Sequence, residues 1–221
     1  MNSFLELTAS DNHKFSAYLA QPPEKPKAGL VILQEIFGVN THIQELADFF
    51  SKKGYLSIAP SLFDRAETNV QLSYDEIGVS KGRKLKDLCD DKVLVDIEAS
   101  VSLVSSAGKV GVIGYCWGGS LAWKFACQSN QLSGSVSYYG GDIPNLKNYD
   151  TKCSFLCHFG ELDKGIPIEK VDVFKEFKPE VQVFTYPADH GFNCNHRKNY
   201  NETSAKVALD RTLKFLEDNL G

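Results

Sequence analysis

The 221-residue chain contains no run of apolar residues that could cross a bilayer, which takes about 18 in succession. It has no heptad, Gly-X-Y or other internal repeat, so coiled-coil, collagenous and solenoid architectures are excluded. Neither charge sign dominates: 24 Lys and Arg stand against 28 Asp and Glu, for a net charge of −4. No basic footprint for nucleic acid follows from that balance. Nor does the composition, 43% hydrophobic, match a disordered chain. The first residues, MNSFLELTASDNHK, have no basic stretch leading into an apolar core. The reading is a cytoplasmic chain with no secretory signal and no membrane partner. Zinc-finger spacing is missing too. The six cysteines are Cys89, Cys116, Cys127, Cys153, Cys157 and Cys194. Cys153 and Cys157 lie four apart in a β-like run, with no second ligand pair to follow. Thiols in a cytosolic chain stay mostly reduced, so packing is the expected role and no metal is expected.

What is present is a persistent alternation of strand and helix. FLELT and KFSAYLA are short strands around a turn-rich SDNHK. LVILQ, YLSIAP and KVGVIGY are apolar runs that fit strands buried on both faces. Further strands are expected in LSGSVSYYG, SFLCHFG and VQVFTYP. Between Thr41 and Lys53, Ile43, Leu46, Ala47 and Phe50 repeat at helical spacing. Thr41 with Gln44 forms a candidate capping box, and Gly54 stops the helix. Leu94, Ile97, Val101 and Val104 mark one face of another helix, with Gly108 beyond its end. WGGSLAWKFACQS, PIEKVDVFKEF and ETSAKVALDRTLKFLEDNL complete the helices. Residues 61–87 are the least regular stretch and read as a long excursion carrying a short helix. Alternation of this kind implies an α/β fold with a mostly parallel central sheet and helices on both faces. No linker breaks the chain, so one domain over 1–221 is expected.

The segment Lys109–Ser120, KVGVIGYCWGGS, is the most informative. A strand runs into Gly114-Tyr115-Cys116-Trp117-Gly118 and then a helix. That is the nucleophile-elbow pattern with cysteine in the serine position. Glycines on either side of the turn remove side chains that would collide. The helix start aims N–H groups and a positive dipole end at the sulfur and at any oxyanion beside it. A bland reading, a tight turn with a packed cysteine, also fits the pentapeptide alone. A nucleophile of this kind needs an acid and then a histidine downstream. Asp163 follows the strand SFLCHFG, and His190 follows VQVFTYP. Each sits just past the carboxyl end of a strand, where open α/β sheets place ligands. Glu161 and Asp189 are rival acids, but Asp189 abuts His190 and neighbouring side chains on an extended loop diverge. His13, His42, His158 and His196 read as ordinary surface or core residues.

These segments resemble the dienelactone hydrolase family of α/β-hydrolases. The similarity runs nearly end to end. It is carried by QEIFGVN (34–40), IAPSLFDR (58–65), GYCWGG (114–119), YYGG (138–141), GELD (160–163) and DHGF (189–192). The resemblance implies a Cys-His-Asp triad of Cys116, His190 and Asp163. It implies that Glu35 touches the resting thiol and yields when substrate arrives. It also implies an oxyanion hole from the backbone N–H groups of Ile36 and Trp117. Family substrates carry a carboxylate held by two arginines. Arg83 and Arg197 are the nearest matches here, and Cys194 stands where the best-known members have one of them. Ester or lactone hydrolysis is therefore implied more firmly than dienelactone itself. The expected partner is a small-molecule ester or lactone, with no cofactor, and the protein is expected as a monomer or weak homodimer. Two other readings remain: a non-catalytic α/β-hydrolase-fold binding protein, and a redox-sensing thiol protein in which Cys194 resolves oxidised Cys116.

Overall fold

The computed structural model describes residues 2–221. Among them eight strands and six α-helices follow one another in chain order. They form two compact units, one ending at Gly111 and one starting at Val112.

In the first unit, β1 (Ser3–Thr8) and β2 (Lys14–Ala20) form an antiparallel hairpin. β2 pairs antiparallel with β4 (Tyr55–Pro60), and β4 pairs parallel with β3 (Ala28–Leu33). All six β3 residues are buried, as a continuous apolar run in a parallel pairing requires. Helix α1 (Thr41–Lys52) buries Ile43, Ala47 and Phe50. Its start differs from the expected capping box. Asn40, not Thr41, is the cap: its Oδ1 accepts from Ile43 N at 3.3 Å. Gln44 Nε2 donates to the Val39 carbonyl instead of closing a box. Asn and Thr cap helices for the same physical reason, so a one-residue slip is easily made from sequence.

The expected excursion also differs. It holds a full helix, α2 (Glu76–Cys89), of 14 residues. The buried positions of α2 are Gly78, Gly82, Leu85 and Cys89, a helical spacing built mostly from small residues. A Cβ on Gly82 would stand 1.9 Å from the Ile36 carbonyl oxygen. The helix thus packs by backbone approach, which a search for large apolar residues does not register. Helix α3 (Val93–Val104) buries Leu94, Ile97, Val101 and Val104 as the periodicity predicts. Arg65 closes a two-pronged hydrogen bond on Asp96 of α3, 2.7 Å on each arm, a geometry only a planar guanidinium offers.

In the second unit, β5 (Val110–Tyr115, which begins at the end of the first unit) precedes α4 (Trp117–Gln128). The strand order is β5, β6 (Gly134–Tyr138), β7 (Ser154–Gly160), β8 (Gln182–Tyr186). β6, β7 and β8 pair in parallel. Helices α5 (Ile168–Phe177) and α6 (Glu202–Leu220) complete the unit. Asn201 caps α6 by accepting from Ser204 N at 3.0 Å. Trp123 of α4 meets Phe155 of β7 and Phe174 of α5 edge-on, with centroids 4.9 and 5.2 Å away. Such aromatic pairs add to area burial in holding helices to a sheet. Among the described residues no helix is long and apolar enough to cross a membrane.

Candidate active site

β5 ends at Tyr115, α4 starts at Trp117, and Cys116 alone makes the turn between them. Its backbone is at φ 55°, ψ −114°, a region that L side chains occupy only under constraint. Two hydrogen bonds supply part of that constraint. Cys116 N donates to the Tyr138 carbonyl at 3.0 Å, and Ser120 N donates to the Cys116 carbonyl at 3.2 Å. Gly114 is required by close approach, because a Cβ there would lie 2.0 Å from the Gly118 carbonyl oxygen. The N–H of Trp117 belongs to the positive end of the α4 dipole, beside the sulfur.

His190 comes from the loop after β8 and Asp163 from the loop after β7. His190 Nδ1 donates to Asp163 Oδ2 at 2.6 Å. Asp163 is buried, and its Oδ1 accepts from Gly165 N at 2.8 Å. His190 also shares a side-chain hydrogen bond with Cys116, while its Nδ1 is committed to Asp163. Burial by itself disfavours the imidazolium. The charge of Cys116, the hydrogen bonds with Asp163 and Cys116, and the Asp163 charge outweigh it and raise His190 from 6.5 to about 10. Three side chains far apart in sequence are therefore in line for proton exchange: thiol, imidazole, carboxylate. That order can activate a nucleophile and then protonate a leaving group.

The dienelactone hydrolase family model matches residues 15–220. The chain belongs to the dienelactone hydrolase family. A carboxymethylenebutenolidase of Pseudomonas putida is 32% identical, over 96% of this chain and 94% of its own. A Synechocystis protein provisionally given the same name is 31% identical, over 96% and 94%. A crystal structure from Klebsiella pneumoniae, provisionally named a dienelactone hydrolase, matches with a TM-score of 0.83 at 27% identity, covering 98% of this chain and 99% of its own. The fold is that of the α/β-hydrolases, and membership in the dienelactone hydrolase family makes this protein a hydrolase with a small-molecule substrate.

The remaining residues singled out from sequence fall in different places. Asp189 does not reach the imidazole of its neighbour; its Oδ1 accepts the backbone N–H of His190 at 2.6 Å. Glu161 accepts from Thr185 Oγ1 at 2.9 Å. Glu35 follows β3 in the first unit and is buried, at 1% exposure. Ile36 comes next and contributes the carbonyl against which Gly82 packs. Arg83 is exposed on α2 and lines an open groove with Tyr74, Glu76, Ser80 and Asp87. Arg197 is half-buried, and its guanidinium lies against the backbone of Gly191, directly after His190: a Cβ there would come within 2.3 Å of Nη1. Cys194 is buried, and its N–H donates to the Gly191 carbonyl at 3.0 Å.

Two further residues adjoin His190. The Tyr139 ring sits 5.0 Å from the His190 ring, on a residue at φ 42°. Asn199 Nδ2 donates to Asp189 Oδ2 and to the His190 carbonyl, each at 3.2 Å. The YYGG segment is a usable signal for the first. Nothing in the sequence marks the second.

Proposed function

We propose that this protein hydrolyses small carboxylic esters or lactones through Cys116 as nucleophile, His190 as general base and acid, and Asp163 as the acid that orients His190. The observation that carries this reading is the hydrogen-bonded line from Cys116 through His190 to Asp163 at the head of α4. His190 takes the thiol proton. The sulfur adds to the acyl carbon and the carbonyl electrons move onto oxygen. The Trp117 N–H, with the α4 dipole behind it, meets that oxyanion. The family implies the Ile36 N–H as a second donor and Glu35 as the restraint on the resting thiol. Collapse of the tetrahedral adduct expels the alkoxide or enolate, which takes the proton from His190. Water, deprotonated by His190, then attacks the thioester and releases the acid.

A substrate carboxylate is the expected recognition element. Arg197, in the second unit, is one candidate for it, because it adjoins the His190 loop. Arg83 is the alternative. The reading extends to one cytoplasmic α/β-hydrolase domain acting as a monomer or weak homodimer.

The test is a quenched reaction with an activated aryl ester followed by peptide mass spectrometry. An acyl group on the Cys116 peptide, absent in Cys116→Ala, is the expected result. Hydrolysis undiminished in Cys116→Ala refutes the proposal. A panel of lactones and aryl esters with and without a carboxylate, run on Arg197→Ala and Arg83→Ala, identifies which arginine reads the anion.

A further inference from the structure

His158 lies in the middle of β7 with no solvent exposure, and the reaction steps above do not use it. Both of its ring nitrogens are engaged. Nδ1 is 2.7 Å from Tyr186 Oη, and Nε2 is 3.0 Å from Thr212 Oγ1. The direction of these bonds follows from the next partner. Arg211 Nη1 donates to Tyr186 Oη at 3.0 Å. The phenol accepts from that cation, so its single proton goes to His158 Nδ1. Nε2 therefore carries the ring proton and donates it to Thr212. Desolvation, with a smaller contribution from the Arg211 charge, lowers His158 to about 3, so the ring is neutral and one tautomer is held. Thr212 Oγ1 lies 2.7 Å from Tyr138 Oη and exchanges a hydrogen bond with it. One chain of bonds thus runs Arg211, Tyr186, His158, Thr212, Tyr138, tying α6, β8, β7 and β6 together.

The far end of that chain is where it meets the site. The Tyr138 carbonyl accepts from Cys116 N at 3.0 Å. The Tyr138 ring stacks on Tyr115, the residue before Cys116, with centroids 4.8 Å apart and 22° between planes. The next residue, Tyr139, donates its N–H to the His158 carbonyl at 2.8 Å and sets its ring 5.0 Å from His190. Among the described residues, Tyr138 and Tyr139 carry hydrogen bonds and ring contacts from the buried chain to the turn and to His190. Cys116 holds a positive-φ backbone, which persists only where its surroundings enforce it. A phenol with a free hydroxyl could tilt and carry the Tyr138 carbonyl with it; one tethered to Thr212 cannot.

We infer that His158 is a positioning residue for Cys116, acting through Thr212 and Tyr138 to keep the strained turn between β5 and α4 in one conformation. The inference rests on the reading of Cys116 as the nucleophile.

Thr212→Val tests it, because the change removes the bridging hydroxyl at nearly constant shape. The readouts are kcat and KM on an activated aryl ester, and the rate of Cys116 alkylation by iodoacetamide from pH 6 to 10 measured by mass spectrometry. In folded Thr212→Val, kcat falls about tenfold or more while KM stays within about twofold, as expected for a misplaced reacting group. Alkylation of Cys116 shifts in rate or pH profile in parallel. Thr212→Ser restores both to within about twofold. Tyr138→Phe, which cuts the same link, reproduces the Thr212→Val result and decides the matter if Thr212→Val fails to fold. Folded variants with unaltered kcat and alkylation overturn the inference. So does a change confined to KM, or a Thr212→Ser no better than Thr212→Val. Alkylation needs no substrate. If Cys116→Ala keeps its hydrolytic activity, the nucleophile reading fails, and the alkylation series still decides whether the buried chain positions the sulfur.

Discussion

Asp163 holds His190 Nδ1 at 2.6 Å with one carboxylate oxygen while the other accepts the Gly165 N–H at 2.8 Å. The second bond prevents the carboxylate from swinging, so the imidazole is presented to Cys116 in a fixed plane. Asp163→Asn keeps the shape and reverses the donor at one position. We expect kcat to fall by about 10²–10⁴. An effect below about threefold, seen in steady-state kinetics, means Asp163 is not the orienting acid.

The same pair sets an alkaline limit. His190 is raised from 6.5 to about 10 in the folded protein against the opposing effect of burial, by Cys116 and Asp163. A raised histidine keeps its proton below that value and loses it above. Activity that depends on the imidazolium–thiolate pair therefore declines as pH climbs through about 10. Removing the Asp163 charge moves that decline to lower pH. A pH–kcat/KM profile of Asp163→Asn with an unmoved alkaline limb contradicts this.

Cys116→Ser separates nucleophile chemistry from architecture. The hydroxyl fits the same turn, so the melting transition should be within a few degrees of the original, while turnover drops by about 10² or more because an alcohol is far less ionised than a thiol. Calorimetry and kinetics on the same preparation check both halves.

His158 links pH to stability in the opposite sense from His190. Its folded value, lowered to about 3 by burial, lies below the 6.5 of an unfolded chain. Between those values the unfolded state binds a proton that the folded state refuses. Stability is thus full above pH 6.5 and declines as pH falls toward 3. By pH 4 the loss is about 3 kcal/mol for a group this buried. Urea titrations at pH 7 and pH 4 on the original protein and His158→Gln check this. The variant should lose less on acidification, and equal losses refute a neutral buried His158.

Gly82→Ala offers a test of α2. Helix propensity favours the change by about 1 kcal/mol. The added Cβ would stand 1.9 Å from the Ile36 carbonyl oxygen, a backbone atom that cannot swing aside. Overpacking should win, with a net destabilisation of about 2 kcal/mol in urea unfolding. A stabilised variant would mean that α2 is free to move away.

Much of the chain was legible because its elements carry local signals. The run AGLVIL at β3 is buried at every position, and the Leu94, Ile97, Val101, Val104 stripe of α3 faces inward. Burial on that scale needs large apolar side chains at regular spacing, and spacing survives in a one-dimensional reading. Helix α2 shows the limit. Two of its four buried positions are glycines that pack by backbone approach, so a spacing of large apolar residues does not mark its extent. At α1, Asn40 and Thr41 both offer a short oxygen-bearing side chain, and only the φ, ψ of Asn40 shows which one turns back to Ile43 N.

By itself the sequence determined the strand–helix alternation, the Gly-Tyr-Cys-Trp-Gly turn and the order cysteine, aspartate, histidine along the chain. These depend on neighbours in sequence or on the rule that loops at one edge of a sheet meet. Only the tertiary structure decided that Asp189 accepts the His190 backbone N–H, that Arg197 lies against Gly191, and that His158 joins Tyr186, Thr212 and, through it, Tyr138. His158 and Thr212 are 54 residues apart, and neither belongs to a motif. A hydrogen bond reaches only about 3 Å and demands alignment, so its partners are chosen by where the whole fold sets each side chain.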